Sequence, residues 1–219
     1  MTDTTFQRAR KPAERTLRRS AILAAAAELF DADGIQGAGI NAIAARAGFT
    51  KSNIYRYFES REEVLLSLLL EDFEAFTQEL EASAPKLQGE PVAALAHLTT
   101  QTLLATPRMG RLLGLLATVL EENVSEATVA SLKTSIGQKL HRLAAVIQAA
   151  LPGSTPQDSA WAAGMIGAVI TGTAPSMHPN PTVRRVLERP EFAAMRPVPD
   201  QHLERPIRAI LQSIVPTGA

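Results

Sequence analysis

Sixteen residues near the N-terminus constrain this chain more than any other stretch. Residues 43–58 read I-A-A-R-A-G-F-T-K-S-N-I-Y-R-Y-F. Gly48 suits a tight backbone reversal that favours positive φ. Thr50 offers a hydroxyl that can cap a helix starting behind it. Ile54 and Phe58 lie four apart, so both face one core. Ala44 is small enough for two helices to approach closely. The pattern predicts a helix over 40–47, a three-residue turn and a second short helix. The leading edge of that second helix, Lys51-Ser52-Asn53, is polar and basic.

The surroundings are helical throughout, and no alternating strand pattern or internal repeat is visible. A helix fits 13–33 through Leu17, Ile22, Ala25, Ala26, Leu29 and Phe30, with Gly34 as its stop. Ser60 and Glu63 form a capping box that opens a long helix to about residue 83. Further helices fit 91–105, 107–122, 125–150 and 157–174. Residues 175–200 carry six prolines and leave room for one short helix around 183–187. A last helix fits about 203–215, starting or kinking at Pro206. The fold class is all-α: a flexible basic arm over 1–12 holding Arg8, Arg10 and Lys11, a three-helix domain over 13–69 and a helical domain over 70–219.

Composition narrows the function. The 219 residues contain no cysteine, which excludes disulfides and thiolate metal sites and suits the cytoplasm. No apolar segment follows the basic N-terminus as a signal peptide would require. The formal net charge is zero, but residues 1–61 hold ten Lys/Arg against six Asp/Glu, and residues 62–219 hold twelve against sixteen. A basic head on an acidic body fits a head that meets phosphate. His97, His141, His178 and His202 have no ligand spacing, so no metal site and no cofactor are expected. Neither paired carboxylates nor a nucleophile–base arrangement is visible, and an enzyme is not expected. Gly37–Ala42 matches a loose dinucleotide pattern but follows a helix rather than a strand.

Two short helices with a polar second edge fit the major groove of DNA. The stretch from about residue 13 to 70 resembles the TetR family of bacterial transcriptional regulators. The likeness rests on Ile43-Ala44, Ala47-Gly48, Phe49-Thr50, Ile54-Tyr55, Tyr57-Phe58 and Ser60-Arg61-Glu62 in register. It implies that Lys51, Ser52 and Asn53 meet base edges. Lysine can donate to guanine, and an amide can pair with adenine. It further implies that Tyr55, Tyr57, Thr50 and Arg61 reach phosphate oxygens. The family often has threonines before its second helix. This chain has Ala38-Gly39, so a contact there falls to backbone N–H or to Asn41, with Arg46 as a further candidate.

The resemblance also implies a homodimer reading a palindromic operator on double-stranded DNA. In the segment 157–174, Ala160, Gly164, Ala168 and Gly172 recur every four residues, giving a face for close helix packing. A membrane span is the rival reading, but the segment is too short and too rich in Gly and Thr, and no membrane is expected. Ile207, Ile210, Leu211 and Ile214 supply an apolar stripe for the same interface. A small, largely apolar effector is expected in a pocket drawn from Phe73, Met109, Leu112, Leu116, His141, Trp161 and Met165, each also readable as core. The function expected is a repressor released by that ligand. An activator or a broad-specificity DNA-binding protein without a ligand is the alternative.

Overall fold

Helix boundaries fall where the caps and breakers of the sequence place them. The computed structural model describes residues 4–216, with side chains from Glu14 onward except that of Ala174. Ten α-helices are defined among them: α1 (Thr4–Gly37), α2 (Ile40–Arg46), α3 (Lys51–Ile54), α4 (Arg61–Ser83), α5 (Pro91–Ala105), α6 (Pro107–Leu115), α7 (Glu126–Ala150), α8 (Pro156–Met177), α9 (Pro181–Leu187) and α10 (Arg205–Ser213). No β-strand is defined among the described residues, nor is any single helix there long and apolar enough to cross a membrane.

The glycine stop and the Ser60 cap fall where the sequence places them, and the second half of the capping box is displaced. Gly34 takes φ 64° and breaks the regular path of α1 three residues before its end. The Glu63 N–H donates to Ser60 Oγ at 3.1 Å. The returning bond goes to the Glu59 N–H rather than to that of Ser60, so the capping box is shifted by one residue. Glu90 caps α5 by accepting from the Val92 and Ala93 N–H groups, and Pro91 fills a first-turn position that needs no donor. Pro206 likewise sits in the first turn of α10, which follows directly on a π turn over Asp200–Glu204.

Other boundaries differ. Residues 1–3 of the expected arm lie outside the described residues. From Thr4 the backbone is already helical, because Arg, Gln, Ala and Lys are good helix formers and extend a helix nucleated beside them. The helix expected over 107–122 ends at Leu115 and continues as a π turn over Leu116–Leu120. Helix α8 runs past residue 174 and contains Pro175 in its last turn. The proline ring packs where α6 crosses α8: a Cβ on Gly114 would lie 2.3 Å from Pro175 Cγ. Only glycine permits that approach.

The helices sort into two units. One holds the chain up to Leu68 together with Ala117–Val129; the other holds Leu69–Leu116 and the chain from Ala130 onward. The segment 117–129 was expected in the second domain. It groups with the first unit, where the Thr128 hydroxyl donates to the Glu59 carboxylate at 3.4 Å.

The first unit is built on Ile22, Ala26, Phe30, Ile43, Ala44, Ile54, Phe58 and Leu65, all at most 4% exposed. The second centres on Phe76, Leu80, Leu95, Met109, Leu112, Ile147 and Ile166, similarly buried. Between α4 and α7 of the second unit, Arg142 donates to both Glu74 and Glu81 at 2.6–2.9 Å, and Lys139 lies 3.0 Å from Glu74. Hydrogen bonds from Arg142, then from Lys139, bring the Glu74 carboxyl down to about 2, and Arg142 lowers Glu81 as well. Both carboxyls are depressed on folding, so their stabilisation is complete above the ordinary glutamate range and disappears as pH falls through the folded value. These groups are about one-third exposed, and solvent screening holds the cluster to about 1 kcal/mol. Arg142→Ala is expected to lower stability by roughly that amount at pH 7. The deficit should close between pH 4.5 and about 2, as followed by urea melts across that range.

Candidate nucleic-acid interface

The turn between α2 and α3 places three side chains at an edge. Gly48 takes φ 72°, and the Phe49 N–H reaches back to the Ala44 carbonyl at 2.8 Å. This closes α2 and aims the chain into the next helix. Thr50 then caps α3, its hydroxyl accepting from the Asn53 N–H at 3.3 Å. Helix α3 has only four residues, too few to be stable alone. It is held by Ile54, fully buried, and by Phe58 at 2% exposure four residues on. Arg19 of α1 covers Phe58 at 5.0 Å from the ring centroid and also donates to Ser67 at 2.8 Å.

With the apolar side anchored, the polar side is presented. Lys51 and Ser52 are exposed, and Asn53 is half-buried. Tyr55 follows at 49% exposure, with the Lys51 ammonium 5.8 Å above its ring. Tyr57 is half-buried. Asn41 is exposed on α2 behind Gly39, which caps α2 without a side-chain bond. Thr50, Lys51, Ser52, Asn53, Tyr55 and Tyr57 therefore lie at or just after this turn, and Asn41 lies in the same unit at the opposite end of α2.

Two expected cations are engaged within the chain. Arg46 donates to Glu28 of α1 at 2.6 Å, both side chains more than half exposed. Arg61 holds one oxygen of the largely buried Glu62 carboxylate through Nε and Nη2, at 3.0 and 2.6 Å. To meet a phosphate, each must share or exchange its carboxylate. Three arginines passed over in the sequence also lie here: Arg15, Arg18 and Arg56 line one concavity with Glu14 and Tyr57. The signal available was the basic run Arg15, Arg18, Arg19 along one helix, together with Arg56 between the two tyrosines.

The sequence profile of the bacterial regulatory proteins of the tetR family matches residues 22–68, and that of the tetracyclin repressor-like C-terminal domain matches residues 70–214. The chain belongs to the TetR family. Its first unit carries that family's DNA-binding helix-turn-helix, and the chain is accordingly a transcriptional regulator by fold. Among solved structures, this TetR-family chain is similar to Thermus thermophilus FadR, a TetR-family repressor in complex with lauroyl-CoA, with 20% identity and a TM-score of 0.59 over 92% of this chain and 97% of that one. It is also similar to a transcriptional regulator from Rhodococcus sp. Rha1 (18% identity, TM-score 0.56, 91% and 99% covered). A third likeness is to the fatty acid degradation regulator FadR from Bacillus halodurans (19% identity, TM-score 0.53, 88% and 96% covered). At these identities the likeness is one of fold. No match was found among curated proteins.

The second unit of this TetR-family chain corrects several expectations. Ile207 and Leu211 are fully buried and Ile214 is 6% exposed, with α10 packed on α5 and α8 of the same chain. These three side chains form intramolecular core and offer nothing to a second copy; Ile210 alone of the four is half-buried. The α8 stripe differs: Ala160, Ala168 and Gly172 are exposed, Gly164 is half-buried, and a Cβ on Gly164 or Gly172 would meet nothing within 4 Å.

The expected pocket does not assemble. Phe73, Met109 and Leu112 are packed core, while Trp161 is 49% and Met165 39% exposed. His141 is exposed and Leu116 half-buried in the π turn. Trp161 and Met165 lie on the uncovered side of α8, beside the small-residue stripe, where helical periodicity could not tell an outward apolar residue from an inward one. A concavity of about 360 Å³ in this unit lies elsewhere, lined by Ala84, Pro85, Val146, Ala149, Glu81 and Arg142 among others. Among the described residues, no group of three His, Cys, Asp or Glu is placed to hold a metal ion.

Proposed function

We propose that this protein is a homodimeric, sequence-specific DNA-binding repressor released by a small, largely apolar ligand. The observation that carries the reading is the exposed Lys51-Ser52 edge, with Asn53 beside it, on a helix pinned from behind by Ile54 and Phe58. A rigid anchor with a free polar edge is what base readout requires: the donors must meet the groove floor without first being ordered. Tyr55 and Tyr57 supply hydroxyls for flanking phosphates, Thr50 stands at the entry to the helix, and Arg61 and Arg46 join after exchanging their carboxylates.

A single small head contacts few base pairs, whereas two heads about one DNA turn apart read a palindrome. The second copy is supported by the uncovered face of α8, where Trp161 and Met165 flank Ala160, Gly164, Ala168 and Gly172. Large exposed apolar side chains beside small ones permit close helix approach and bury substantial area when paired. That an effector exists is supported by the likeness in fold to a FadR holding lauroyl-CoA, whose lauroyl chain is apolar although its CoA head is charged. Release then follows from a population shift, the ligand binding better to a form whose heads are wrongly spaced for the operator.

Selection on random duplexes tests the core of the reading: wild-type protein is expected to enrich a palindromic site. Asn53→Ala should relax preference at one position per half-site, by roughly 1–3 kcal/mol; an enrichment profile identical to wild type removes Asn53 from base readout. In sedimentation, the chain should run at twice its 23.5 kDa mass, and Trp161→Asp with Met165→Asp should run as a monomer. A double variant still dimeric places the interface elsewhere. Lauroyl-CoA at a hundred times its dissociation constant should raise stability by about 2.7 kcal/mol and free the selected duplex. Unchanged melting and unchanged DNA binding would remove acyl-CoA as the effector.

A further inference from the structure

A second basic feature lies beside the reading edge. Arg15 and Arg18 are three residues apart on α1, and Arg56 and Tyr57 follow the end of α3. Together with Glu14 they line a concavity of about 290 Å³. Arg15 lies over the Tyr57 ring, 5.9 Å from its centroid, and Arg18 donates to Glu14 at 2.5 Å. All three arginines are exposed. Three guanidiniums against one carboxylate leave this concavity with a charge of +2. Like charges gathered without matching carboxylates raise the energy of the free protein, and an anion from outside relieves it.

The position of the concavity indicates which anion. Tyr57 lies six residues beyond Lys51, in the turn that follows α3. The major groove is about 12 Å wide. With Lys51 on base edges at the groove floor, Arg56 and Tyr57 stand at the groove wall, where the phosphates run. Arginine suits that place because its planar fork meets two phosphate oxygens at once.

We propose that Arg15, Arg18 and Arg56 cradle one backbone phosphate of the bound duplex, and that Glu14 occupies part of this cradle in free protein and releases Arg18 when the phosphate enters. The inference rests on the DNA-binding reading above. The Glu14–Arg18 pair is an exposed pair on one helix, with side chains 59% and 45% accessible, and such pairs are weak enough to exchange. A backbone phosphate carries the same single charge as the carboxylate it displaces, but it meets all three guanidiniums at once and its neutralisation releases counterions from the duplex. The contact adds affinity on every sequence and no preference among sequences.

The full-length chain is titrated with a duplex recovered by selection and with a random duplex of equal length, from 50 to 200 mM salt. Arg56→Ala and Arg15→Ala should each weaken binding to both duplexes by one common factor, about tenfold. The slope of log affinity against log salt should become shallower in each variant, by less than the roughly 0.9 per head that loss of the whole one-phosphate cradle would give. Arg56→Lys should keep the wild-type slope, since the charge remains. Glu14→Gln should act in the opposite sense, tightening both duplexes several-fold with unchanged selectivity. A purely structural role for the Glu14–Arg18 pair gives loss or no change instead. Wild-type affinity and slope in both alanine variants, or weaker or equal binding by Glu14→Gln, would overturn the cradle. If wild-type protein binds neither duplex, the DNA-binding reading falls with it. If wild type binds and the variants match it, the cradle alone falls.

Discussion

The structure of the reading edge depends on the burial of Ile54 and Phe58. A four-residue helix has too few internal hydrogen bonds to persist in water. What fixes α3 is apolar area removed from solvent, about 1.5–3 kcal/mol for each such side chain, together with the turn through Gly48 and a cap at Thr50. Remove that anchoring, and Lys51, Ser52 and Asn53 become a mobile polar loop. Each would then have to be ordered at the cost of binding energy.

The charges of the first unit follow a different economy. Four of its arginines have partners within the chain: Arg46 with Glu28, Arg61 with Glu62, Arg18 with Glu14, and Arg19 with Ser67 and the Phe58 ring. Under the proposed function, phosphate would reach Arg46, Arg61 and Arg18 by exchange with their carboxylates. Exchange lowers the net gain per contact and restrains nonspecific binding. That is consistent with a chain whose formal net charge is zero despite a basic N-terminal quarter.

In the second unit, packing geometry outweighs pattern. Gly114 and Pro175 let α6 and α8 approach where any Cβ would collide. Helix α10 then turns Ile207, Leu211 and Ile214 inward against α5 and α8, and the small-residue face of α8, with Trp161 and Met165, is left uncovered. Two stripes expected to serve one interface thus have opposite destinations: the Ile/Leu stripe is mostly core and the small-residue stripe is surface.

Local signals were legible in the sequence because they act over one helical turn or less. Positive φ at Gly48 and Gly34, the caps at Thr50 and Ser60, the proline starts of α5 and α10, and the inward spacing of Ile54 and Phe58 depend only on near neighbours along the chain. The helix-turn-helix could be read for that reason. Long-range choices could not be. Nothing in the sequence of Arg46 or Arg61 tells which carboxylate will hold it. Nor does anything local bring Arg15 and Arg18 beside Arg56, assign residues 117–129 to the first unit, or place Phe73, Met109 and Leu112 in filled core. Helical periodicity specifies that a face is apolar. Which surface covers that face is decided only when distant helices meet, because burial is a property of the pair and not of either segment.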